Sequence, residues 1–267
     1  MRIFYSITII LVAITMSNAQ VLNIDRENGQ DSIKKRVIFI SSLDFSSDKQ
    51  RNDFVEISTT NELDFFLKKN HALILFNHLD AAFNGVNVIE NNGYFLARLR
   101  DNDSRKIYPD FYTQYQWNGV LGMESRMLAG VNARIKVIEK KKIDLYTSIG
   151  SFYENEIWNS NLSAFSFENI GPIIVNRELL RLNVHTKIAF KLSEKIDFAL
   201  SQYFQFPMND SFANFTKFRW AFNSDIFFEV TDKIAFNIHY DHSIDNYRAL
   251  PIDLYYYNLN IGINLTI

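Results

Sequence analysis

The feature that most constrains the fold of this chain is an alternation of large apolar and polar residues along most of its length. In KIAFNIHYD, residues 233–241, the large residues Ile234, Phe236 and Ile238 alternate with Ala235 and Asn237. A period of two is that of a β-strand with one apolar and one polar face. The same alternation continues to the end of the sequence in YYYNLNIGINLTI. The sequence therefore predicts an all-β protein built from amphipathic strands.

About twelve such runs follow one another, and because the first five are less regular, ten is the alternative count. They begin near Val37, Phe54, Ala72, Tyr94, Tyr108, Ser125, Ile143, Leu179, Ile196, Thr216, Ile234 and Leu254. Most runs have roughly ten to fourteen residues, whereas strands of globular proteins usually have about five or six. A tilted strand needs about 9 to 11 residues to cross a bilayer. The run lengths therefore favour a membrane-spanning barrel.

The connections between the runs favour the same architecture. One set is short and charged, at residues 68–70, 101–104, 139–142, 193–195 and 231–233. The intervening set is mostly longer, at residues 47–53, 84–92, 118–124, 155–178, 207–214 and 242–253. Outer-membrane barrels have tight periplasmic turns and longer external loops. We therefore expect a single antiparallel up-and-down barrel over residues 37–267, with both of its ends in the periplasm.

The size of the apolar residues indicates which face meets lipid. The chain has 24 Phe and 13 Tyr, and large residues occupy more of the apolar faces than the inside of a small barrel holds. A soluble sandwich or lipocalin-like barrel is therefore the weaker alternative. We assign these positions to lipid: Phe198, Leu200, Phe236, Ile238, Leu259, Ile261 and Ile263. We assign these charged candidates to the interior: Arg134, Lys136, Asp144, Arg181, Lys187, Asp197, Arg219 and Asp225.

The N-terminal segment predicts export. It carries one basic residue, an apolar stretch from Ile3 to about Met16, and small residues before Gln20. This is the pattern of a secretory signal peptide, so we expect a signal at residues 1–19 and a periplasmic lead-in at residues 20–36.

The sequence has no cysteine, which excludes disulfides and a lipoprotein attachment site. Its net charge of -2 argues against nucleic acid as a partner.

The central segment, residues 110–158, resembles a family of uncharacterised bacterial outer-membrane proteins. The family is described as salt-stress-induced or YdiY-like, and as domain of unknown function 481. The motifs that carry the resemblance are TQYQ at 113–116, LAGVNARI at 128–135 and LYTSIGSFYENE at 145–156. The resemblance extends over about residues 37–267 and implies an outer-membrane barrel of a Gram-negative, Bacteroidetes-like cell. It assigns no functional residue, because the family has no established activity.

Metal binding and catalysis have little support in the sequence. His239, Asp241 and His242 lie within four positions, but His242 points to the opposite face of a strand. An outer-membrane phospholipase needs a Ser and a His together on its outer wall, and no run offers such a pair at alternate positions. The sequence shows no nucleotide-binding motif. We therefore predict no catalytic, metal-binding or cofactor-binding residue.

Three functions remain in order of preference. The first is a non-enzymatic protein of the outer membrane that serves envelope integrity or the stress response. The second is a narrow channel for small solutes or ions, because about twelve strands lie between the filled eight-stranded barrel and the open channel of 16 to 18 strands. The third is a lipid-acting enzyme.

The expected partners are outer-membrane lipid and the barrel-insertion machinery. The insertion machinery usually recognises a terminal aromatic residue, whereas this sequence ends on Ile267. The oligomeric state stays open.

Overall fold

The structure, a computed structural model, describes residues 37–266 except for gaps at 50–52, 68–70, 85–86, 102–105, 163–172, 209–215 and 232–233. The signal peptide and lead-in predicted for residues 1–36 lie outside the described residues. The described residues form twelve strands: β1 (Val37–Lys49), β2 (Asp53–Phe66), β3 (His71–Asn84), β4 (Asn87–Asp101), β5 (Ile107–Asn118), β6 (Met123–Lys140), β7 (Ile143–Asn159), β8 (Ile174–Lys191), β9 (Ile196–Pro207), β10 (Arg219–Thr231), β11 (Ile234–Asp245) and β12 (Tyr255–Thr266). In this part of the chain, no helix is long and apolar enough to cross a membrane.

The strands close into one barrel, in which each strand pairs antiparallel with its neighbours in sequence. This confirms the predicted up-and-down order and the count of twelve over ten. The barrel is closed by β1 and β12, which pair from Ile40↔Thr266 to Ser42↔Asn264. By contrast, β1 and β2 pair from Val37↔Phe65 to Lys49↔Asp53. Closure leaves no open strand edge, which strands in a bilayer cannot tolerate.

Several strands extend further than the sequence predicted, all at the end of the barrel opposite the chain termini. Much of the loop predicted at residues 84–92 is strand, because β4 begins at Asn87. Likewise β7 continues to Asn159 and β8 begins at Ile174, within the loop predicted at residues 155–178. The connections at this end are short at β1–β2, β3–β4 and β5–β6, so the predicted alternation of short and long connections fails in the first half of the barrel and holds from the β7–β8 hairpin onward. Polar residues occupy both faces of these extensions, so main-chain pairing continues where the hydrophobic pattern stops.

The two faces of the wall differ in composition. In β5, Tyr108, Asp110 and Tyr112 are buried on the inner face, whereas Phe111 and Tyr115 are exposed on the outer face. The same alternation recurs along β4, β6 and β7, where exposed outer positions hold large apolar residues. A barrel with an apolar outer face and a polar inner face is the arrangement of outer-membrane proteins.

Aromatic side chains cluster on the outer face near the loop end of the strands. Trp220 lies 5.7 Å from His242 between ring centroids, and His242 stacks on Tyr255 at 6.4 Å. On the opposite side of the barrel, Trp117 lies flat over Gly93, where an added Cβ would come within 2.6 Å of the indole ring. Aromatic residues in such positions mark the boundary between headgroups and hydrocarbon.

Candidate functional site: the filled interior

The most distinctive part of the interior is a cluster of buried charges near the loop end. It contains four guanidinium groups and three carboxylates, contributed by β6, β7, β8, β10 and β11, and we call it the charged cluster. Its members are Arg126, Glu154, Glu156, Arg177, Arg181, Arg219 and Asp245. Each of these residues sits on the inner face because alternate residues of a strand share a face.

Glu154 joins three neighbouring strands. One of its oxygens, Oε2, accepts hydrogen bonds from Nε of Arg126 at 2.8 Å and from Nη2 of Arg126 at 2.5 Å. Its other oxygen, Oε1, accepts from Nε of Arg181. All three side chains are fully buried. Charge-assisted hydrogen bonds of this kind fix side chains strongly when water is excluded.

Glu156 extends the charged cluster from β7 to β10. Its Oε2 accepts hydrogen bonds from Nε of Arg177 at 2.6 Å and from Nε1 of Trp158 at 3.1 Å. Its Oε1 accepts from Nη2 of Arg219 at 3.2 Å. Arg219 belongs to β10 and Glu156 to β7, so this contact bridges strands that are not neighbours in the wall. Nε of Arg219 also donates to Oδ2 of Asp245 at 2.9 Å.

A loop between β11 and β12, residues 246–254, covers this end of the interior, and we call it the lid. Leu250 and Ile252 of the lid are 2% and 7% exposed. They pack in an apolar cluster with Leu121, Met123, Trp158 and Tyr256. The lid is tied to the charged cluster, because Nη1 of Arg177 donates to the carbonyl oxygen of Tyr247 at 2.7 Å.

Little free space remains between the lid and the charged cluster. A cavity of about 40 Å³ lies there, bordered by Arg126, Arg219, Arg248 and Tyr256. A single water needs roughly 10–15 Å³ of such space. The cavity therefore holds a few waters at most.

An apolar layer lies on the other side of the charged cluster, toward the chain termini. It consists of Tyr94, Leu96, Tyr112, Leu128, Phe152, Tyr203 and Ala221. Gly130 makes this packing possible, since a Cβ there would lie 2.5 Å from Cβ of Phe152 and 2.7 Å from the ring of Tyr112. The interior is thus packed like a protein core at this level.

Further toward the chain termini, the inner face is again charged. Nε of Arg98 on β4 donates to Oδ1 of Asp110 on β5 at 2.7 Å, and both side chains are buried. The guanidinium of Arg134 lies 4.5 Å from the ring centroid of Tyr146, in a cation–π contact.

The structure places the predicted interior residues as follows. Arg134, Arg181, Lys187 and Arg219 are buried on the inner face, and Lys136, Asp144, Asp197 and Asp225 are half-buried there. Of these eight, Arg181 and Arg219 meet in the charged cluster. The residues assigned to lipid lie on the outer face: Phe236, Ile261 and Ile263 are exposed, and Phe198, Leu200, Ile238 and Leu259 are half-exposed.

Sequence reasoning missed the centre of the site. Glu154 lies at the boundary of a predicted loop, and Glu156, Arg177 and Asp245 lie inside segments that the sequence analysis assigned to loops. The sequence did offer one indication, the alternation of faces along β7. Glu154 and Glu156 are an even number of positions from Tyr146, Ser148 and Phe152 and therefore lie on the same face. Their pairing with Arg219, sixty-three positions away, had no local signal.

The histidines take two kinds of position. His239 lies on the inner face between two carboxylates, with Nδ1 2.5 Å from Asp225 and Nε2 2.6 Å from Asp241. His242 lies on the outer face of β11 and not in the predicted loop, because β11 continues to Asp245. Among the residues that the structure describes, no group of three His, Cys, Asp or Glu is arranged to hold a metal ion.

A serine and a histidine do meet inside the barrel. Oγ of Ser148 lies 3.4 Å from Nδ1 of His185, which stacks on Tyr203 at 4.2 Å between ring centroids. Both residues of the pair are buried on the inner face, away from the lipid-facing wall.

Comparisons with known proteins agree with the architecture. The sequence model of the family described as "Protein of unknown function, DUF481" matches residues 61–255. No curated protein matches the chain. The translocator domain of the autotransporter NalP from Neisseria meningitidis is similar over 86% of this chain and 87% of that domain, with 12% identity and a TM-score of 0.50. The NanC porin is similar over 86% of this chain and 100% of its own, with 11% identity and a TM-score of 0.48. The likeness to the translocator domain shows the fold, an outer-membrane β-barrel.

Proposed function

We propose that this chain, which belongs to the DUF481 family of proteins of unknown function, is a closed barrel that contributes to the integrity of the outer membrane. One observation carries the proposal: inside the barrel, Arg219 of β10 contacts Glu156 of β7 at 3.2 Å, beneath a lid whose Leu250 is 2% exposed. A role under salt stress is the biological setting that the family resemblance favours. Outer-membrane lipid and the barrel-insertion machinery are the partners that we propose.

The chemistry of the charged cluster supports a closed state. A permeating ion would have to separate buried carboxylates from guanidinium groups that already satisfy them. Breaking a buried ion pair without replacing its partner is costly, about 3–5 kcal/mol. The lid adds an apolar barrier above the same point, and apolar constrictions exclude hydrated ions.

The test is electrical. The purified protein, checked for folding by its faster migration on unheated gels, is incorporated into planar lipid bilayers. We expect no unitary current from the wild type, and we expect currents from a variant that combines Leu250→Ser, Glu156→Ser and Arg219→Ser. Clear unitary conductance in the wild type would refute the closed barrel.

A narrow cation channel is the second candidate, and one observation favours it. On β10 and β11 the inner face carries two acidic residues that are less buried than the central carboxylates of the charged cluster. The side chains of Asp225 and Asp241 are 14% and 27% exposed, whereas those of Glu154 and Glu156 are 0%. If the wild type conducts, a reversal potential that favours cations and a smaller current in Asp241→Asn would support this second candidate.

Our proposal assigns no enzymatic activity to the chain. The Ser148–His185 pair supports this choice, because it faces the interior and phospholipid meets the outer wall. Turnover of phospholipid in mixed micelles, lost on Ser148→Ala, would overturn this part of the proposal. Recovery of the protein in the soluble periplasm would overturn the assignment to the outer membrane.

A further inference from the structure

The lipid-facing wall carries two amides at mid-height, on β2 and β3. Asn77 is the seventh of the fourteen residues of β3, and Asn61 is the ninth of the fourteen residues of β2. Both lie on the outer face, because the inner face of these strands holds the buried residues Glu62 and Asp80 at positions of the other parity. Apolar outer residues lie toward both ends of the two strands: Ile57, Leu63, Phe65, Leu73, Leu75 and Leu79. The amides therefore interrupt the middle of the apolar band.

The two amides differ in how far the barrel itself satisfies them. Oδ1 of Asn61 accepts a hydrogen bond from the hydroxyl of Ser41 at 2.6 Å, and Nδ2 of Asn61 donates to the hydroxyl of Thr59 at 3.3 Å. Among the residues that the structure describes, the amide of Asn77 makes no hydrogen bond. Asn77 is only half-buried, so its amide is accessible from outside the wall. The wall thus presents an unused donor and an unused acceptor to the bilayer.

The depth of Asn77 restricts what can satisfy it. Acyl chains carry no hydrogen-bonding group, and water and the polar groups of lipid stay near the two interfaces. A polar group in hydrocarbon without a partner is unfavourable. Asparagine side chains of membrane proteins do form hydrogen bonds with side chains of a neighbouring membrane segment. Another polypeptide is therefore the partner that fits Asn77.

The arrangement of the two amides selects a second copy of the chain as that polypeptide. Asn61 and Asn77 stand directly opposite each other in the pairing of β2 with β3. Asn77 lies six residues from His71 and Asn61 lies five residues from Phe66, the ends of their strands on the side of the chain termini, so their heights agree. A two-fold axis along the membrane normal, between β2 and β3, brings Asn77 of each copy opposite Asn61 of the other. Such an interface is isologous, and the contact occurs twice.

The hydrogen-bonding capacity of the amides matches this arrangement. An amide oxygen has two lone pairs and an amide nitrogen has two N–H groups, so Asn61 keeps one of each after its bonds to Ser41 and Thr59. Nδ2 of Asn77 can donate to Oδ1 of Asn61 of the second copy, and Oδ1 of Asn77 can accept from Nδ2 of the same residue. Each amide of Asn77 then has a donor and an acceptor.

From the two opposed amides in the middle of the lipid-facing wall, we propose that β2 and β3 form the interface of a homodimer. Asn77 of each copy pairs with Asn61 of the other. Ile57 and Leu75, which are 38% and 37% exposed, pack around the amides against the second copy. The interface lies on the outside of the wall, so the proposal does not depend on whether the interior conducts.

Sedimentation equilibrium in density-matched detergent micelles measures the association. We expect a dimer of the wild type, and we expect Asn77→Leu to raise the dissociation constant at least about tenfold, since it removes hydrogen bonds within the membrane. Asn61→Leu should act in the same way. The double variant should dimerise no more weakly than either single variant, because one substitution already removes both symmetric contacts. Leucine suits a lipid-facing position, and faster migration on unheated gels confirms that each variant is folded.

Gln202→Leu is the matched control. Gln202 is an exposed amide on the outer face of β9, away from β2 and β3, so its removal should leave the dissociation constant unchanged.

Thiol cross-linking locates the interface. The sequence has no cysteine, so a single substitution introduces the only thiol of each copy. At a low ratio of protein to lipid in vesicles, a bismaleimide with a short spacer should cross-link Leu75→Cys into a dimer. Leu200→Cys, on the outer face of β9, should stay monomeric under the same conditions.

Three results would overturn the proposal. A wild type that is monomeric at every ratio of protein to detergent would mean that lipid alone surrounds β2 and β3. A dimer that persists unchanged in Asn77→Leu would mean that the amides do not hold the two copies together. A dimer that is lost in Gln202→Leu, or that is cross-linked through Leu200→Cys and not through Leu75→Cys, would place the interface on β9.

Discussion

The substitution Glu154→Gln tests whether the charged cluster stabilises the barrel. Glu154 accepts three hydrogen bonds from Arg126 and Arg181, and all three side chains are fully buried. The glutamine keeps one acceptor oxygen but turns an NH₂ group toward a guanidinium. It also leaves the two arginines without their shared counter-charge. Breaking a buried ion pair from one side costs about 3–5 kcal/mol, and we expect a loss in that range.

Urea unfolding in lipid vesicles, followed by tryptophan fluorescence, measures this loss. With a slope of about 3 kcal/mol per M, the unfolding midpoint should fall by about 1 to 1.7 M. The matched control is Glu139→Gln, which removes the same charge from an exposed carboxylate. Glu139 is 58% exposed and pairs with Lys136 at 3.0 Å, so the control should lose at most about 1 kcal/mol.

A second variant separates ion pairing from general damage. Arg181→Met replaces the partner of Glu154 with a side chain of similar length. If the two residues act as a pair, the double variant should be more stable than the sum of the single effects predicts, by about 1.5 kcal/mol or more. Strict additivity, or equal losses in Glu154→Gln and Glu139→Gln, would refute a stabilising role for the charged cluster.

Two further predictions concern the wall and the inner packing. Ile261→Arg places a charge at an outer position that is 60% exposed and should cost about 2–4 kcal/mol, whereas Val230→Arg, beside the turn at residues 232–233, should cost about 0–1 kcal/mol. Urea unfolding measures both, and equal losses would mean that the wall does not sit in lipid as assigned. Gly130→Ala brings a Cβ within 2.5 Å of Phe152 and should cost about 1–3 kcal/mol by overpacking. An unchanged unfolding midpoint would show that the apolar layer is loosely packed.

The fold was predictable because it depends on local rules. A period of two assigns each residue to one face, and strands of twelve or more residues are longer than most globular strands and long enough to cross a bilayer. The charged cluster was not predictable in the same way. Glu154 and Glu156 lie in YENEIW, where polar residues on both faces hide the end of the strand. Main-chain pairing with β8 extends β7 to Asn159, and that pairing is not visible in one strand's own sequence.

The partners within the site depend on the curvature of the barrel. Arg219 meets Glu156 because the wall curves between β7 and β10, which are separated by β8 and β9, and this curvature cannot be read from the sequence. The burial of the lid was equally unpredictable from the sequence. Leu250 and Ile252 lie in a segment of mixed composition that reads as an external loop, and only its return over the barrel mouth shows that they are buried.

The short pairing between β1 and β12 has a consequence for how the barrel assembles. Every other pair of neighbours joins strands that follow each other in the chain, so each forms by closing a small loop. The pairing of Ile40 with Thr266 must instead bring the two ends of the barrel domain together. Contacts between residues that are distant in sequence form slowly, so the pairing of β1 with β12 should form last. Until it forms, β1 and β12 each keep a free edge, and this is the edge to which the insertion machinery proposed above would bind.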